Sequence, residues 1–432
     1  MMKKTITRKL FTWFLIMMML FHLASCLRPQ APVDYDSIKV KSAAVTLSDN
    51  TGFSDFDNLL IKFMSDGDFK DSDFMVSPLS FRYALALATA GAQGRTQEQL
   101  LKAAGFETME AYAEWAEEFN GFAEYFEKNC EAMLREYERY PDMYGDKAPD
   151  FGLSVANSAW HNADLKDLPL SADYARYIKE HFGAEAYTVP AKQLCDGINS
   201  WVKENTKGLI PRIVNDDAGE CNTILVNTLY LKDGWTDSFS ESATKQGVFT
   251  CRDGNEKTVD YMNRTDRILY YADDDTALVI MPMHFGVNVA FVLGSTEGLS
   301  EKLGRVKVTS VHVQIPKFST ETSLEKKELV DFLRQLGVSD AFIGGVADFT
   351  PMVPNDGELY IDDIIQKTKI SVDEDGIEAA AATAILMKDS AFFDPDQPVE
   401  FIADRPFSYF IYTSVNNTAD LMFFGQYTGV EK

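Results

Sequence analysis

Apolar and polar positions recur with two different periods along this chain, and the change of period divides it. Between Glu107 and Glu138, Tyr112, Trp115, Phe119 and Phe122 return at three- and four-residue steps among many acidic residues. That spacing predicts a helix with one buried face, and the aromatic stripe reads as core packing rather than a cofactor site. Later segments lose the helical period and become strand-like: 223–231, 277–293, 311–318, 369–372, 408–415 and 421–427. Helical patterns crowd the first half and strand patterns the second. This order predicts an α+β fold rather than alternating βαβ units.

The beginning of the chain follows neither period. Lys3, Lys4, Arg8 and Lys9 precede a mostly apolar run from Leu10 to Leu23, which ends in Leu23-Ala24-Ser25-Cys26. The run is shorter than the roughly 20 apolar residues that a spanning helix needs. A cationic start, a short apolar stretch and small residues before a cysteine resemble a bacterial lipoprotein signal. On that reading residues 1–25 are removed and Cys26 receives lipid; an ordinary secretory signal with Cys26 incidental is the alternative. Several acyl chains, at ~0.8 kcal/mol per buried CH₂, would hold the protein on a membrane. Residues 26–50, with their Pro, Ser, Asp and Lys, read as a flexible tether, leaving 51–432 as one domain. The expected location is the cell envelope after export across the inner membrane, with the periplasmic or surface face left open.

Charge and reactive residues narrow the function by exclusion. Against 41 Lys and Arg stand 66 Asp and Glu, a formal charge of −25 that becomes −29 once the four cations of the signal are removed. Such a body does not neutralise phosphates, so nucleic acid is not an expected partner. Anionic headgroups would repel it as well, which leaves membrane attachment to the lipid. Five cysteines in 432 residues are too few for a disulfide scaffold. Cys130, Cys195, Cys221 and Cys251 allow three pairings or four buried thiols, and their spacing does not decide. There is no G-x-S-x-G, H-E-x-x-H or C-x-x-C. Gly91 to Thr96 lacks the lysine of a phosphate loop and reads as a glycine-capped helix end. Asp373 to Gly376 holds only part of a calcium loop and reads as an acidic turn. No metal or cofactor is therefore expected. His284 or His312 beside a serine would be the one hydrolase reading, although a histidine in an apolar strand such as 311–313 is usually packed or surface-facing.

The informative stretch runs from Ser371 to Phe407. Alanine propensity alone would make 378–384 a helix, but the flanks argue otherwise. Gly376 offers a pivot after a strand-like segment, and 394–398 is a cluster of breakers. The small, mostly uncharged residues between them suit an exposed loop that can also enter a sheet as a strand. Alternation would then place Ile377, Ala379, Ala381 and Thr383 on one face, with Glu378, Ala380, Ala382 and Ala384 on the other.

In this setting the chain resembles the serpin family over nearly its whole length, from about Phe53 to Gly429. The resemblance is carried by V-S-P-L-S-F-R-Y-A-L-A-L-A-T-A-G-A-Q-G-R-T from Val76, Asn157 to Trp160, and Ile198-Asn199-Ser200-Trp201 through Thr206 to Ile210. It continues in L-V-N-T-L-Y-L-K-D-G-W (225–235), E-D-G-I-E-A-A-A-A-T-A, and F-I-A-D-R-P-F. It implies about nine helices around three β-sheets, an exposed reactive centre loop, and no enzymatic activity of its own. The implied function is suicide inhibition of serine endopeptidases, with cysteine endopeptidases as a second class; a non-inhibitory binding or scaffold serpin is the alternative. The implied state is a monomer.

Roles follow residue by residue. Glu374 resembles the hinge glutamate and Gly376 the pivot, followed by Ile377, Glu378 and the small residues Ala379, Ala380, Ala381 and Ala382. Ser77, Pro78, Ser80 and Asn227 resemble the shutter beneath the opening sheet, and Trp235 the breach where insertion begins. Gln366 stands where many members have a shutter histidine, and Ile377 where a threonine or serine is common. The family's usual loop length, counted from Glu374, puts the scissile bond at Ser390-Ala391 and favours an elastase-like target. Met387, Lys388, Phe392 and Phe393 are the other candidate baits.

Overall fold

The computed structural model describes residues 52–139, 150–164, 168–324, 327–361, 364–377, 398–415 and 418–431. The signal, the tether and Cys26 lie outside the described residues. So do Glu378, Ala379 to Ala382 and the candidate baits Met387, Lys388, Ser390, Ala391, Phe392 and Phe393.

The long amphipathic segment forms a helix over Met109–Arg139, with Tyr112, Phe119, Phe122 and Phe126 buried. Trp115 packs under the Arg82 guanidinium at 4.3 Å. Arg82 belongs to the helix Pro78–Ala90, which is buried on nearly every side and therefore shows no polar stripe. Ser77 caps that helix by accepting from the Ser80 amide, and Pro78 sits at its first turn, where a missing N–H costs nothing. Eight α-helices occur among the described residues.

The described strands form two hydrogen-bonded sheets, where three were expected. The cause is the 17-residue strand Glu256–Ala272. It pairs along most of its length with Lys307–Pro316 and at its end with Thr276–Pro282, so two would-be sheets become one nine-stranded sheet. The apolar run 277–293 divides into Thr276–Pro282 and Val287–Gly294, joined by a turn that uses Gly286 at φ 86°. The run 311–318 also divides. Lys307–Pro316 stays in the nine-stranded sheet, while Phe318–Leu324 starts the other, with Lys317 at the break.

The second sheet has six strands in the order Phe318–Leu324, Gln366–Val372, Gly376–Ile377, Thr223–Gly234, Gly152–Asn162, Glu185–Val189. One face rests on the main core, which takes Leu229, Leu231, Ile370 and Val372. The other is covered in part by the helix Ala191–Asn205, through Leu194, Ile198 and Trp201 on Trp160 and Val226.

Candidate functional site

The Ser371–Phe407 stretch enters the fold through the six-stranded sheet. After Val372 the chain turns through Asp373, Glu374 and Asp375, then Gly376 and Ile377 run back as a two-residue strand. Ile377 pairs with Val372 on one side and with Asp233 on the other. Among the described residues, the strands Gln366–Val372 and Thr223–Gly234 share a register only through this short strand. The structure seats Gly376, the residue read as the pivot, and Ile377 inside the sheet, with Ile377 only 3% exposed. An isoleucine, apolar and β-branched, suits that buried strand position. Gly376 opposes Gly234, and a Cβ at Gly376 would overlap the Asp233 carbonyl oxygen, so the close approach requires glycine.

Backbone carbonyls stitch the turn to the neighbouring segment. Asp373 accepts from the Trp235 indole at 2.9 Å, Glu374 from the Phe239 amide at 2.9 Å, and Asp375 from the Trp235 amide at 2.9 Å. The Asp373 carboxylate in turn accepts from the amides of Asp375 and Gly376 at 3.0 and 3.3 Å. Glu374 is almost wholly buried; its carboxylate meets Lys317 Nζ at 2.6 Å and accepts from Thr244 Oγ1 at 2.7 Å. Burial alone would raise the Glu374 carboxyl, but the bonds from Lys317 and Thr244 outweigh it and hold it below its usual range.

Lower in the sheet, the residues assigned to the shutter come together in two separate groups. Gln366 accepts from the Ser77 amide at 2.8 Å and donates to the Ser77 carbonyl at 2.9 Å, so its amide satisfies both backbone groups of one residue. Ser77 Oγ donates to the Met422 carbonyl at 2.7 Å. On the other side of the seam, Asn227 Nδ2 donates to Asn157 Oδ1 at 2.6 Å, and Asn157 donates to the Phe182 carbonyl at 3.0 Å. Asn227 Oδ1 is buried with no hydrogen-bond partner among the described residues. Replacing Gln366 by alanine leaves the Ser77 N–H buried without a partner, while the Ser77 C=O keeps the Phe81 amide at 3.0 Å. A loss of about 1–3 kcal/mol in unfolding free energy is expected, measured by denaturant titration. A change below about 0.5 kcal/mol would show that water or another group substitutes for the glutamine.

The remaining candidates do not assemble into a reactive site. His312 Nδ1 lies 3.1 Å from Thr265 Oγ1, and the His284 ring packs on Phe151 and Phe285. Cys130, Cys195 and Cys251 are free thiols, so none of the three disulfide pairings forms. No cluster of metal-ligating side chains occurs among the described residues. Residues that the sequence did not single out prove central: Lys317, Thr244 and Asp233. Lys317 follows a proline at a strand break, and Asp233 is an acid inside an apolar strand; those were the available signals.

The sheet order, the seated hinge and the two-part shutter can be set beside known proteins. A family model described as Serpin (serine protease inhibitor) matches residues 52–429. The chain belongs to the serpin family. Serpins are a family of protease inhibitors, with some non-inhibitory members, and not of enzymes. Leukocyte elastase inhibitor from Xenopus tropicalis is 29% identical over 380 residues, spanning 82% of this serpin and 92% of that protein. A serpin-like protein of Thermococcus kodakarensis is also 29% identical, over 82% of this chain and 80% of its own length. Among solved structures, the thermophilic serpin tengpin in its native state matches with a TM-score of 0.68 at 24% identity, covering 93% of this chain and all of that one. Human thyroxine-binding globulin in complex with thyroxine matches with the same TM-score at 20% identity, over 88% and 97% of the two chains. Both likenesses are likenesses of fold.

Proposed function

We propose that this serpin is a suicide inhibitor of serine endopeptidases with a small primary pocket, of the elastase type. The protease's nucleophile attacks the carbonyl of Ser390, expels the Ala391 amine and forms an acyl-enzyme. The severed loop then enters the six-stranded sheet behind Ile377, and the tethered protease is carried along before water can release it.

One observation carries this reading: Ile377 already pairs with the strands on both sides, and Gly376 with one of them. Continued in the same antiparallel register, Ala381 falls opposite Leu229 and Thr368, and Thr383 opposite Asn227 and Gln366. Core-facing positions thereby receive small side chains, and the Thr383 hydroxyl reaches the level of the unpartnered Asn227 Oδ1. About a dozen newly paired residues, at ~1 kcal/mol net per hydrogen bond, give on the order of 10 kcal/mol. That equals the whole stability of a typical domain and suffices to distort a bound active site. The intact form is then a kinetically trapped state. Four alanines from Ala379 to Ala382 favour this reading over a binding or scaffold serpin. A lipid on Cys26 would hold the monomeric inhibitor at the cell envelope.

Mixing the protein with elastase, trypsin and chymotrypsin tests the proposal. An SDS-resistant complex is expected with elastase, and mass spectrometry of the released peptide is expected to place the cut at Ser390-Ala391. A cut after Lys388 would move the target to a trypsin-like enzyme, and one after Phe392 or Phe393 to a chymotrypsin-like one. Cleavage without any complex would refute trapping.

A further inference from the structure

The sheet position that receives the hinge is occupied by an ionisable group. Ile377 lies between Val372 and Asp233 in the register, and directly opposed residues share one face of a sheet. All three are buried, Asp233 to 1% exposure. The isoleucine side chain is thus flanked by a valine on one strand and a carboxyl on the other. The Asp233 carboxylate turns towards the 283–286 turn and accepts from the amides of Gly234 at 2.8 Å and Phe285 at 3.4 Å.

Among the described residues, no element packed around Asp233 supplies a countercharge. Lys232, next along the strand, is committed to Asp150 at 2.7 Å. The helix Met109–Arg139 brings the Cys130 thiol within electrostatic reach, with Glu127 nearby and Lys207 beyond it. The 283–286 turn brings His284, whose ring lies against Gly234 and Phe151. The hinge turn brings Asp373, bonded to its own turn amides, Glu374, held by Lys317, and Asp375. Burial accordingly pushes the Asp233 carboxyl up to about 7, against the pull of the Phe285, Gly234 and His284 amides.

We infer that Asp233 is a positioning residue that makes seating of the hinge pH-dependent: neutral, it lets Ile377 pack beside it, and ionised, it favours release of the hinge. The inference rests on the inhibitor reading, in which the seated hinge is the first step of insertion. Its sign follows from linkage. Seating desolvates Asp233, so the seated state binds the proton more tightly than the released one. Seating is therefore strongest in acid, weakens as pH rises from the ordinary carboxylate range, and levels off above about 7. One proton changes the equilibrium by at most about tenfold per pH unit.

Hydrogen exchange of the peptide containing Gly376 and Ile377, in the intact full chain between pH 5 and 8, reads the seating directly. Protection is taken relative to the intrinsic exchange rate at each pH. The wild type is expected to lose about tenfold or more in protection between pH 5 and 7, and Asp233→Asn to show no such fall. Flat protection in the wild type, or an equal fall in both, overturns the inference. Should Asp233→Asn not fold, Ile377→Ala serves in its place. With less apolar surface beside Asp233 its fall is expected to end at lower pH, and an unchanged midpoint overturns the inference. Because no protease is present, this result is independent of the complex assay. Absence of a complex defeats the inhibitor reading, whereas flat protection defeats only the role of Asp233.

Discussion

The Ala381→Glu variant is expected to be cut by its target and released, with at least about 100-fold less SDS-resistant complex than the wild type. Parity is the reason. Ile377 faces the core between Val372 and Asp233, so in the proposed inserted strand Ala379 and Ala381 would follow it onto the same face at steps of two. The continued register sets Ala381 opposite Leu229 and Thr368, both buried. An unpaired carboxylate driven there costs several kcal/mol. About 3 kcal/mol added to the insertion barrier slows the step roughly 100-fold, and deacylation then wins. The same glutamate at the neighbouring position provides the control. Ala380→Glu lies on the other face, opposite Tyr230 and Lys369, and Lys369 is partly exposed beside Glu321. Its complex yield is expected to stay within about threefold of wild type. Equal loss in both variants would refute the register.

The second large effect is expected at Glu374. Glu374→Ala removes the partner of Lys317 and of Thr244 Oγ1 and frees the hinge turn on one side. A cost of about 1–2 kcal/mol is expected, since Glu374 is buried but Lys317, 40% exposed, returns to water when its partner is removed. For a domain of this size that is roughly 1–3 °C in Tm. The pH dependence has a fixed sign. The folded carboxyl is held below its ordinary value of 4.5, so its contribution is complete at neutral pH and is lost as pH falls below that value. Wild type and variant should therefore converge in acid. Parallel melting curves separated by the same interval at every pH would show that the ion pair does not stabilise the hinge.

The parts legible in the sequence are those written in local periods. The helix Met109–Arg139 was readable because its aromatic stripe repeats every three or four residues. Of the alternation read for Ile377–Ala384, only Ile377 lies among the described residues, where it is buried. The turn between Thr276–Pro282 and Val287–Gly294 was hidden by a nearly continuous apolar run, with Gly286 as its main mark. Long-range pairs left no local trace. Ser77 and Gln366 are 289 residues apart, and Thr244 and Glu374 are 130 apart. The resemblance placed Gln366 at the shutter, but its grip on both backbone groups of Ser77 depends on tertiary approach. Asp233 reads as an ordinary strand acid until burial beside the hinge gives it a role. The fused nine-stranded sheet likewise depends on the length of one strand, Glu256–Ala272, rather than on any motif.

Thermal unfolding of the intact protein beside the same protein nicked in the 378–397 segment measures the stored energy itself. If the nicked loop completes the strand begun at Ile377, about 10 kcal/mol of new pairing should raise Tm by more than about 10 °C. A nicked form that melts at or below the intact one would contradict the account, because the sheet would then have nothing to gain from the loop.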